Sequence, residues 1–528
     1  MSGTNDGRNP RRIMGLETEF GVACSAGSGV PSGPGVTPPT PDALARELFA
    51  PHVRDYGSTN TYLPNGSRFY LDVGAHPEYA TAECDDLADL LAQDKAGERM
   101  LGDRAAAMEE RRTERGAPGT VHVFKNNVDA HGHSYGCHEN YLIPRSLNLD
   151  AVMPTLATFL VSRTLFIGAG ALVSARPTAR LSSPHSPRVT APRNTPPDTG
   201  GGTEFHLSQR AEHLWSDFDT STTRNRPLVN ARDEPHADAA EYRRLHVICG
   251  DSSMSQATTL LKVGALDLLL RVMEAGGSLP SFALENPART LREISAHGTS
   301  ASPMTLVEGT RSGTHSGTHS GTHSGTRTGT RGGIGGDASG GTRERTISAQ
   351  DAQAEFYLAI AEHYLNHGPH TALHDAALDL WKRSLEAAQS ENWDSVATEL
   401  DWVIKKNLLT RYTERTGCPL DDPRVARLNL AFHDVSRHGL FSALETHGLA
   451  RTLVSPSQIA HAQHHPPATT RAALRGRFVE QARKARREYS VDWTHLTVKH
   501  PSERTVTILD PYTTEHPDVD ALLRSLGT

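Results

Sequence analysis

Two short stretches near the start of the chain place charged or phenolic side chains at every second residue. The first stretch carries Glu17 and Glu19, and the second carries Arg68, Tyr70 and Asp72. The residues between them are mostly apolar. Because successive side chains of a β-strand point to opposite faces, this spacing predicts two strands, each with one apolar face and one face bearing reactive groups.

Carboxylates gathered on one face of a sheet are costly unless a cation binds them. Magnesium ions take carboxylate oxygens, and arginine pairs with phosphate. Glu78 follows Pro77 shortly after the second stretch, and because proline interrupts strand pairing we expect its carboxylate to turn back over the sheet. Together with Glu17 and Glu19 it predicts a magnesium and phosphate site, whereas Glu17 and Glu19 alone would also suit a solvated edge strand.

Other polar segments carry weaker signals. His131, His133 and His138 lack the spacing of a zinc site such as HExxH. The segment that includes Arg232 and His246 has two interpretations, a surface loop with ion pairs or a set of phosphate contacts. The sequence contains no GxxxxGK[ST] and no GxSxG, which argues against a P-loop enzyme and a serine hydrolase.

The overall composition limits the function classes. A length of 528 residues suggests two domains, or one large domain with an appendage. The net charge of −7 argues against a general nucleic-acid binder. Five cysteines without paired spacing indicate reduced thiols, and neither a signal peptide nor a membrane-length apolar run is evident. We therefore expect a cytoplasmic protein without a membrane or nucleic-acid partner.

Hydrophobic spacing and turn residues divide the chain into parts. We expect helices over 42–53 and 85–114, and strands at the residues 121–124, 138–143, 491–496 and 504–509. The predicted organisation is a flexible tail over 1–10, a catalytic domain over 11–449 and a small C-terminal domain over 450–528. Two inserts, 175–202 and 309–341, are predicted to be disordered because they hold too few apolar residues to offset their ordering entropy.

Several of these segments resemble one known family, the Pup–protein ligases (proteasome accessory factor A). The resemblance rests on residues 11–21, 65–73, 76–81, 125–127, 134–142, 207–213 and 232–250. It implies an α+β fold, with a glutamine-synthetase-like large domain, in which helices flank a curved antiparallel sheet, and a small C-terminal α+β domain. It also implies a ligase that uses ATP and Mg²⁺ to join the C-terminal glutamate of the modifier Pup to a lysine of target proteins, marking them for proteasomal degradation.

The same resemblance assigns roles to individual residues. Asp72 would be the catalytic base that accepts the lysine proton. The magnesium ligands would be Glu17, Tyr70 and Glu78, to which we add Glu19 from its shared strand face. The contacts to ATP would be Arg68, Thr81 and Trp493. Arg232 and His246 are left as contacts to either the nucleotide or Pup.

Two alternatives share parts of this pattern. A Pup deamidase or depupylase has the same fold and the same aspartate, but it carries a long loop soon after its first strand, whereas residues 23–57 here form a short segment rich in Pro and Gly. A catalytically inactive Pup-binding adaptor is the other alternative. The intact carboxylates and Asp72 argue against it.

Overall fold

The structure is a computed structural model, and it describes residues 11–26, 39–72, 74–129, 132–174, 202–220, 226–307 and 345–526. The predicted tail over 1–10 lies outside the described residues. So do the predicted insert over 309–341, all but the last residue of the insert over 175–202, and His131. The predictions for these segments stay predictions.

The strands of the described residues come first. They are β1 (Met14–Glu19), β2 (Gly21–Ala26), β3 (Asn60–Tyr62), β4 (Arg68–Leu71), β5 (Pro77–Ala80), β6 (Gly119–Phe124), β7 (Cys137–Pro144), β8 (Ala171–Ser174), β9 (Thr203–His206), β10 (Ser216–Asp219), β11 (Pro227–Asn230), β12 (Tyr242–Val247), β13 (Met304–Leu306), β14 (Arg345–Ile347), β15 (Tyr489–Val491), β16 (His495–Val498) and β17 (Arg504–Thr507).

The helices lie mostly in the second half of the chain. They are α1 (Pro41–Tyr56), α2 (Leu87–Glu114), α3 (Leu149–Ser162), α4 (Thr164–Ile167), α5 (Gln256–Glu274), α6 (Pro287–His297), α7 (Ala349–His367), α8 (Ala372–Ser390), α9 (Asp401–Thr416), α10 (Pro423–Phe432), α11 (Phe441–Thr446), α12 (Pro456–Ala462), α13 (Ala472–Lys484) and α14 (Pro517–Leu526).

The largest sheet has eight strands in the order β10-β11-β12-β7-β1-β5-β4-β3. Its pairs are antiparallel except β10 with β11. β1 lies near the centre, and its Met14 and Leu16 belong to the main hydrophobic core. Glu17 and Glu19 therefore point to the opposite face, as their alternation predicts.

Helices cover the apolar face of this sheet. Leu87 and Leu91 of α2 and Leu260 of α5 join the core that includes Tyr141 of β7. Both helices begin at capped residues: the side chain of Asp86 accepts hydrogen bonds at the start of α2, and Ser255 does so at α5. This packing leaves the other sheet face for the polar side chains.

Two strand predictions are wrong in detail. Glu78 does not follow a break in pairing, because Pro77 begins strand β5 itself, a position where proline is tolerated. The predicted strand over 491–496 is interrupted, since β15 ends at Val491 and the carboxylate of Asp492 accepts hydrogen bonds from the backbone of Thr494 and His495. This side-chain turn competes with strand pairing and places Trp493 in a turn.

The C-terminal segment has a small core of its own. Leu474 and Phe478 of α13, Leu496 of β16, and Val519 and Leu522 of α14 pack together. The division of the chain at residue 450 stays a prediction.

Among the described residues, one helical run, Leu149–Ile167, is long and apolar enough to cross a membrane by length and composition, although no such run was expected from the sequence. Within the fold, 67% of it is buried. Burial of this extent is typical of a helix in a protein core.

Candidate active site

Strand register brings the predicted residues of the polar face into rows. Glu19 of β1 lies directly opposite Glu78 of β5, and Glu78 lies opposite Tyr70 of β4. Residues opposite each other on an antiparallel pair have neighbouring side chains. One row therefore joins Glu19, Glu78 and Tyr70 across three strands.

Asp72 completes an acidic cluster at the end of this row. One carboxylate oxygen from each of Glu19, Asp72 and Glu78 lies within 4.8 Å of the others. Glu19 accepts hydrogen bonds from the backbone N–H of Gly136 at 2.8 Å and from His76 Nδ1 at 3.1 Å. Asp72 is exposed just beyond the end of β4, whereas Glu78 is buried.

A second cluster surrounds Glu17. His138 Nδ1 lies 3.1 Å from Glu17 Oε2, and Asn140 Nδ2 donates to Glu17 Oε1 at 3.2 Å. Arg244 and His246 approach the same carboxylate, each at 3.7 Å. Glu17 is thus held by side chains from β7 and β12.

The electrostatics of this face fit a bound cation. Burial and the charges of Glu17 and Glu19 hold the pKa of Glu78 well above its usual range. Burial and the charges of Glu78 and Glu17 likewise raise the pKa of the Tyr70 phenol. Negative charge here exceeds what the described neighbours neutralise, so a divalent cation bound by these oxygens would relieve the repulsion.

Glu17 differs from Glu78 because basic groups surround it. Burial alone would raise the pKa of Glu17, but the hydrogen bond from His138 and the charge of Arg244 hold it below its usual range. Burial lowers the pKa of His246 to about 3, so this imidazole is neutral near pH 7. Glu17 therefore stays ionised and is able to bind a metal ion.

A cleft beside β1 and β5 receives the predicted nucleotide contacts. Its lining includes Glu17, Thr81, His236 and Trp493. Thr81 is buried, and its Oγ1 accepts a hydrogen bond from the backbone of Leu16 at 3.1 Å. The structure thus brings Thr81 and Trp493 together although they are far apart in the chain.

Trp493 reaches this cleft from the C-terminal segment. Its ring makes an edge contact with Tyr62 at 5.1 Å between centroids, and the guanidinium of Arg475 lies 5.0 Å from its centroid. Arg475 also forms a buried ion pair with Glu83, close to Thr81 in the chain. These contacts hold the turn that carries Trp493 against the large sheet.

Two predicted contacts lie apart from the cleft lining. Arg68 Nε donates to Asn60 at 2.9 Å, and its guanidinium lies 4.2 Å from the centroid of the Tyr70 ring. Arg68 therefore adjoins the acidic row without lining the cleft. Arg232 is exposed, and its Nε donates to the backbone of Thr220 at 3.0 Å.

No role was predicted for His138 or Asn140, and Arg244 was predicted only as part of a segment with two interpretations, a surface loop with ion pairs or a set of phosphate contacts. A signal for them was present, because His138 and Asn140 alternate along β7 as Glu17 and Glu19 do along β1. Arg244 and His246 alternate in the same way along β12. Assigning them to the site required the pairing of β7 with β1 and β12, which the local pattern does not contain.

Comparisons with known proteins agree with this geometry. The family model described as Pup-ligase protein matches residues 12–319 and 338–497. The Pup–protein ligase of Xylanimonas cellulosilytica is 43% identical over 521 residues, covering 98% of this chain and 100% of that protein. The Pup–protein ligase of Sanguibacter keddieii is 42% identical over 517 residues, which cover 98% of this chain and 99% of that protein.

Two solved structures are similar over nearly the whole chain. One is the complex between the prokaryotic ubiquitin-like protein Pup and its ligase PafA, with a TM-score of 0.81 and 35% identity, covering 98% of this chain and 91% of that one. The other is the Pup ligase PafA in complex with ADP, with a TM-score of 0.75 and 36% identity, covering 95% and 97%. They confirm the predicted α+β fold. By sequence and structure, this chain belongs to the Pup-ligase family.

Proposed function

We propose that this chain is an ATP-dependent ligase that joins the C-terminal glutamate of Pup to a lysine of a target protein. The observation that carries the proposal is the position of Asp72. This exposed carboxylate stands at the end of the Tyr70–Glu78–Glu19 row, on the sheet that also lines the Trp493 cleft. The proposed reaction first activates a carboxylate with ATP and then attacks it with an amine. It therefore requires a base beside the site that binds magnesium and the phosphates.

The metal site of the proposed enzyme would use Glu17, Tyr70 and Glu78, with Glu19 as a further carboxylate. The crowding of these oxygens and the raised pKa of Glu78 support this assignment. Magnesium ions held there would offset the repulsion between an anionic carboxylate and anionic phosphate groups. Thr81 and Trp493 would contact the nucleotide from the cleft, and Arg68 would pair with its phosphates from β4.

The first chemical step activates the modifier. A side-chain carboxylate oxygen of the terminal glutamate attacks the γ-phosphorus of ATP, the bond to the β-phosphate oxygen breaks, and ADP leaves. The product is an acyl phosphate. Activation is needed because a free carboxylate has no good leaving group for an amine to displace.

The second step forms the isopeptide bond. The lysine nitrogen attacks the acyl carbon, the carbon–oxygen bond to phosphate breaks, and inorganic phosphate leaves with that oxygen. A lysine with a pKa of about 10.4 costs roughly 4–5 kcal/mol to deprotonate at pH 7. Asp72 would accept this proton, and its exposed position beyond the end of β4 leaves it open to an incoming lysine.

The deamidase or depupylase activity is the alternative within the same fold, because Asp72 would serve either reaction. The two relatives described above are named Pup–protein ligases, and α1 begins at Pro41, soon after the first strands. We therefore favour the ligase. Modification of lysine-bearing targets and a cytoplasmic location remain parts of this proposal.

An isotope experiment tests the proposed chemistry. Pup whose terminal glutamate carries ¹⁸O at both oxygens of its side-chain carboxylate would be incubated with ATP, Mg²⁺ and a lysine-bearing target. The acyl phosphate step predicts one ¹⁸O atom in the inorganic phosphate released with each conjugate. Conjugate formation with unlabelled phosphate would contradict the acyl phosphate step.

A further inference from the structure

A second cleft, the α2–α13 cleft, lies between helices α1, α2 and α13 and is independent of the site above. Its volume is about 860 Å³, and its lining includes Arg104, Arg111 and Arg483, a size typical of ligand pockets. The guanidinium of Arg104 lies 4.8 Å from the centroid of Phe69. Because Phe69 and Tyr70 point to opposite sides of β4, this cleft lies behind the carboxylate face.

Within the part of the chain that the structure describes, these three arginines have no carboxylate within 4.0 Å. Nε of Arg104 is buried without a hydrogen-bond partner, and its Nη2 lies 3.4 Å from Nδ1 of His52. Arg483 donates to the hydroxyl of Tyr56 at 2.9 Å. A buried guanidinium nitrogen such as Nε of Arg104 normally has a hydrogen-bond partner.

Arg104 and Arg483 come from different parts of the chain, and each contacts one ring of the same stacked pair. Their contacts, His52 and Tyr56, are one turn apart on α1, and the two rings stack with centroids 4.5 Å apart. Two guanidinium groups beside one stacked pair repel each other unless an anion lies between them. Burial lowers the pKa of Arg104, and the charge of Arg111 acts in the same direction.

The acidic groups around the cleft do not balance this charge. Glu480 forms an ion pair with Lys484 at 2.7 Å, and Asp55 forms one with Arg54 at 3.2 Å. Asp103 accepts from the neutral amide of Gln463 at 3.3 Å and keeps its charge. The lining still carries four basic side chains against two acidic ones, namely Arg104, Arg111, Arg483 and Lys484 against Asp103 and Glu480. The cleft keeps an excess of positive charge in a chain whose net charge is −7.

We propose that the α2–α13 cleft binds a phosphorylated small molecule that carries at least two negative charges. Arg104 and Arg483 would hold one phosphate group by charge-assisted hydrogen bonds, which suit the fork geometry of guanidinium groups. Arg111, two turns further along α2, would contact a second anionic group. The apolar walls at Leu48 and Met100 would accommodate the rest of the ligand.

Pyrophosphate is the test probe, because it carries the required charge without an organic part. Binding would be measured by isothermal titration calorimetry with a non-hydrolysable ATP analogue present to occupy the nucleotide cleft. We expect the double variant Arg104→Gln, Arg483→Gln to lose this binding and Arg111→Gln to weaken it about tenfold. Glutamine keeps a donor for His52 and Tyr56, which favours normal folding.

A matched control is Arg411→Gln, which removes one positive charge from an exposed position on α9. It should bind pyrophosphate as the unmodified protein does. Unchanged binding in the double variant would overturn the proposal, and so would no binding to the unmodified protein. If the double variant does not fold, the Arg111→Gln result decides alone, since Arg111 is half-buried and its side chain forms no ion pair with the described residues. Binding of a hexaglutamate peptide ten times tighter than pyrophosphate would replace the small molecule by an acidic peptide.

Discussion

At the scale of single residues, a carboxylate at the end of a strand is accessible to another protein, whereas one inside a paired strand is enclosed by its neighbours. Tyr70 and Glu78 lie within paired strands, directly opposite each other on β4 and β5. Asp72 follows the last residue of β4 and is exposed. A carboxylate in this position is able to meet a lysine of another protein while remaining within 4.8 Å of the acidic cluster.

The variant Asp72→Asn tests this residue. It keeps the shape of the side chain but removes its ability to accept a proton, so we expect conjugation to slow by a factor of about 10² to 10⁴. Nucleotide affinity, measured with a fluorescent ADP analogue, should stay unchanged. Asp518→Asn on the exposed face of α14 is the control, and conjugation by Asp72→Asn at the rate of this control would exclude Asp72 as the base.

The variant Glu17→Gln tests the metal site. It removes one negative charge from an oxygen pair that His138 and Asn140 already orient. We expect the Mg²⁺ concentration for half-maximal conjugation to rise at least tenfold. Loss of a residue that only orients a metal ligand weakens metal binding by about this factor, and loss of the ligand itself should weaken it more. An unchanged Mg²⁺ requirement would show that Glu17 holds no metal ion.

Local sequence predicted which residues share a face, because a period of two is a property of every strand. It therefore placed Glu17 with Glu19, and Tyr70 with Arg68. It did not predict the partners of these strands. The strand at Pro77 and the contributions of His138 and Arg244 depend on pairing between segments far apart in the chain, and no local pattern contains this register.

At the scale of secondary-structure elements, α13 is fixed to the large sheet by buried ion pairs. Glu83 accepts from both Arg471 and Arg475. Arg475 Nη1 also donates to the backbone carbonyl of Trp493 at 3.3 Å. The position of Trp493, the predicted nucleotide contact, therefore depends on the Glu83 carboxylate, which lines the same cleft.

These ion pairs predict a pH dependence of stability. Burial raises the pKa of Glu83, but the charges of Arg475 and Arg471 outweigh burial and lower it to about 2. Because the folded-state value lies below the unfolded one, the stabilisation is complete above about pH 4.5 and is lost as the pH falls toward 2. It amounts to about 3 kcal/mol.

The measurement is urea unfolding of the unmodified protein and Glu83→Gln between pH 6 and pH 3. The difference in unfolding free energy should narrow as the pH falls, since protonation removes the charge that the variant lacks. Glu480→Gln, which breaks an exposed pair, is the control and should cost less than about 1 kcal/mol. A difference that stays constant with pH would contradict the role of the Glu83 charge.

At the scale of the whole molecule, one predicted insert starts and ends at neighbouring points of the fold. Leu306 of β13 pairs with Arg345 of β14. Strands paired in this way need only a short turn to connect them. The fold on either side therefore does not depend on the length of the segment between them.

Replacing residues 308–344 by Gly-Asn-Gly tests this independence. We expect conjugation within about twofold of the unmodified protein, and no loss of stability, because each halving of a loop recovers about 0.6 kcal/mol of closure entropy. Thermal unfolding and the conjugation rate are the measurements. Failure of the shortened protein to fold would refute the prediction that residues 309–341 are a disordered insert.

Isopeptide bond formation by this chain is best tested by identifying the product of the reaction. The protein would be incubated with ATP, Mg²⁺ and a lysine-bearing target, together with Pup ending in glutamate or Pup ending in glutamine, and the products would be identified by mass spectrometry. If the chain is a ligase, we expect a conjugate linked through lysine from the glutamate form only, together with ADP. Conversion of the glutamine form to glutamate without any conjugate would identify a deamidase instead, and binding of Pup without any product would identify an adaptor.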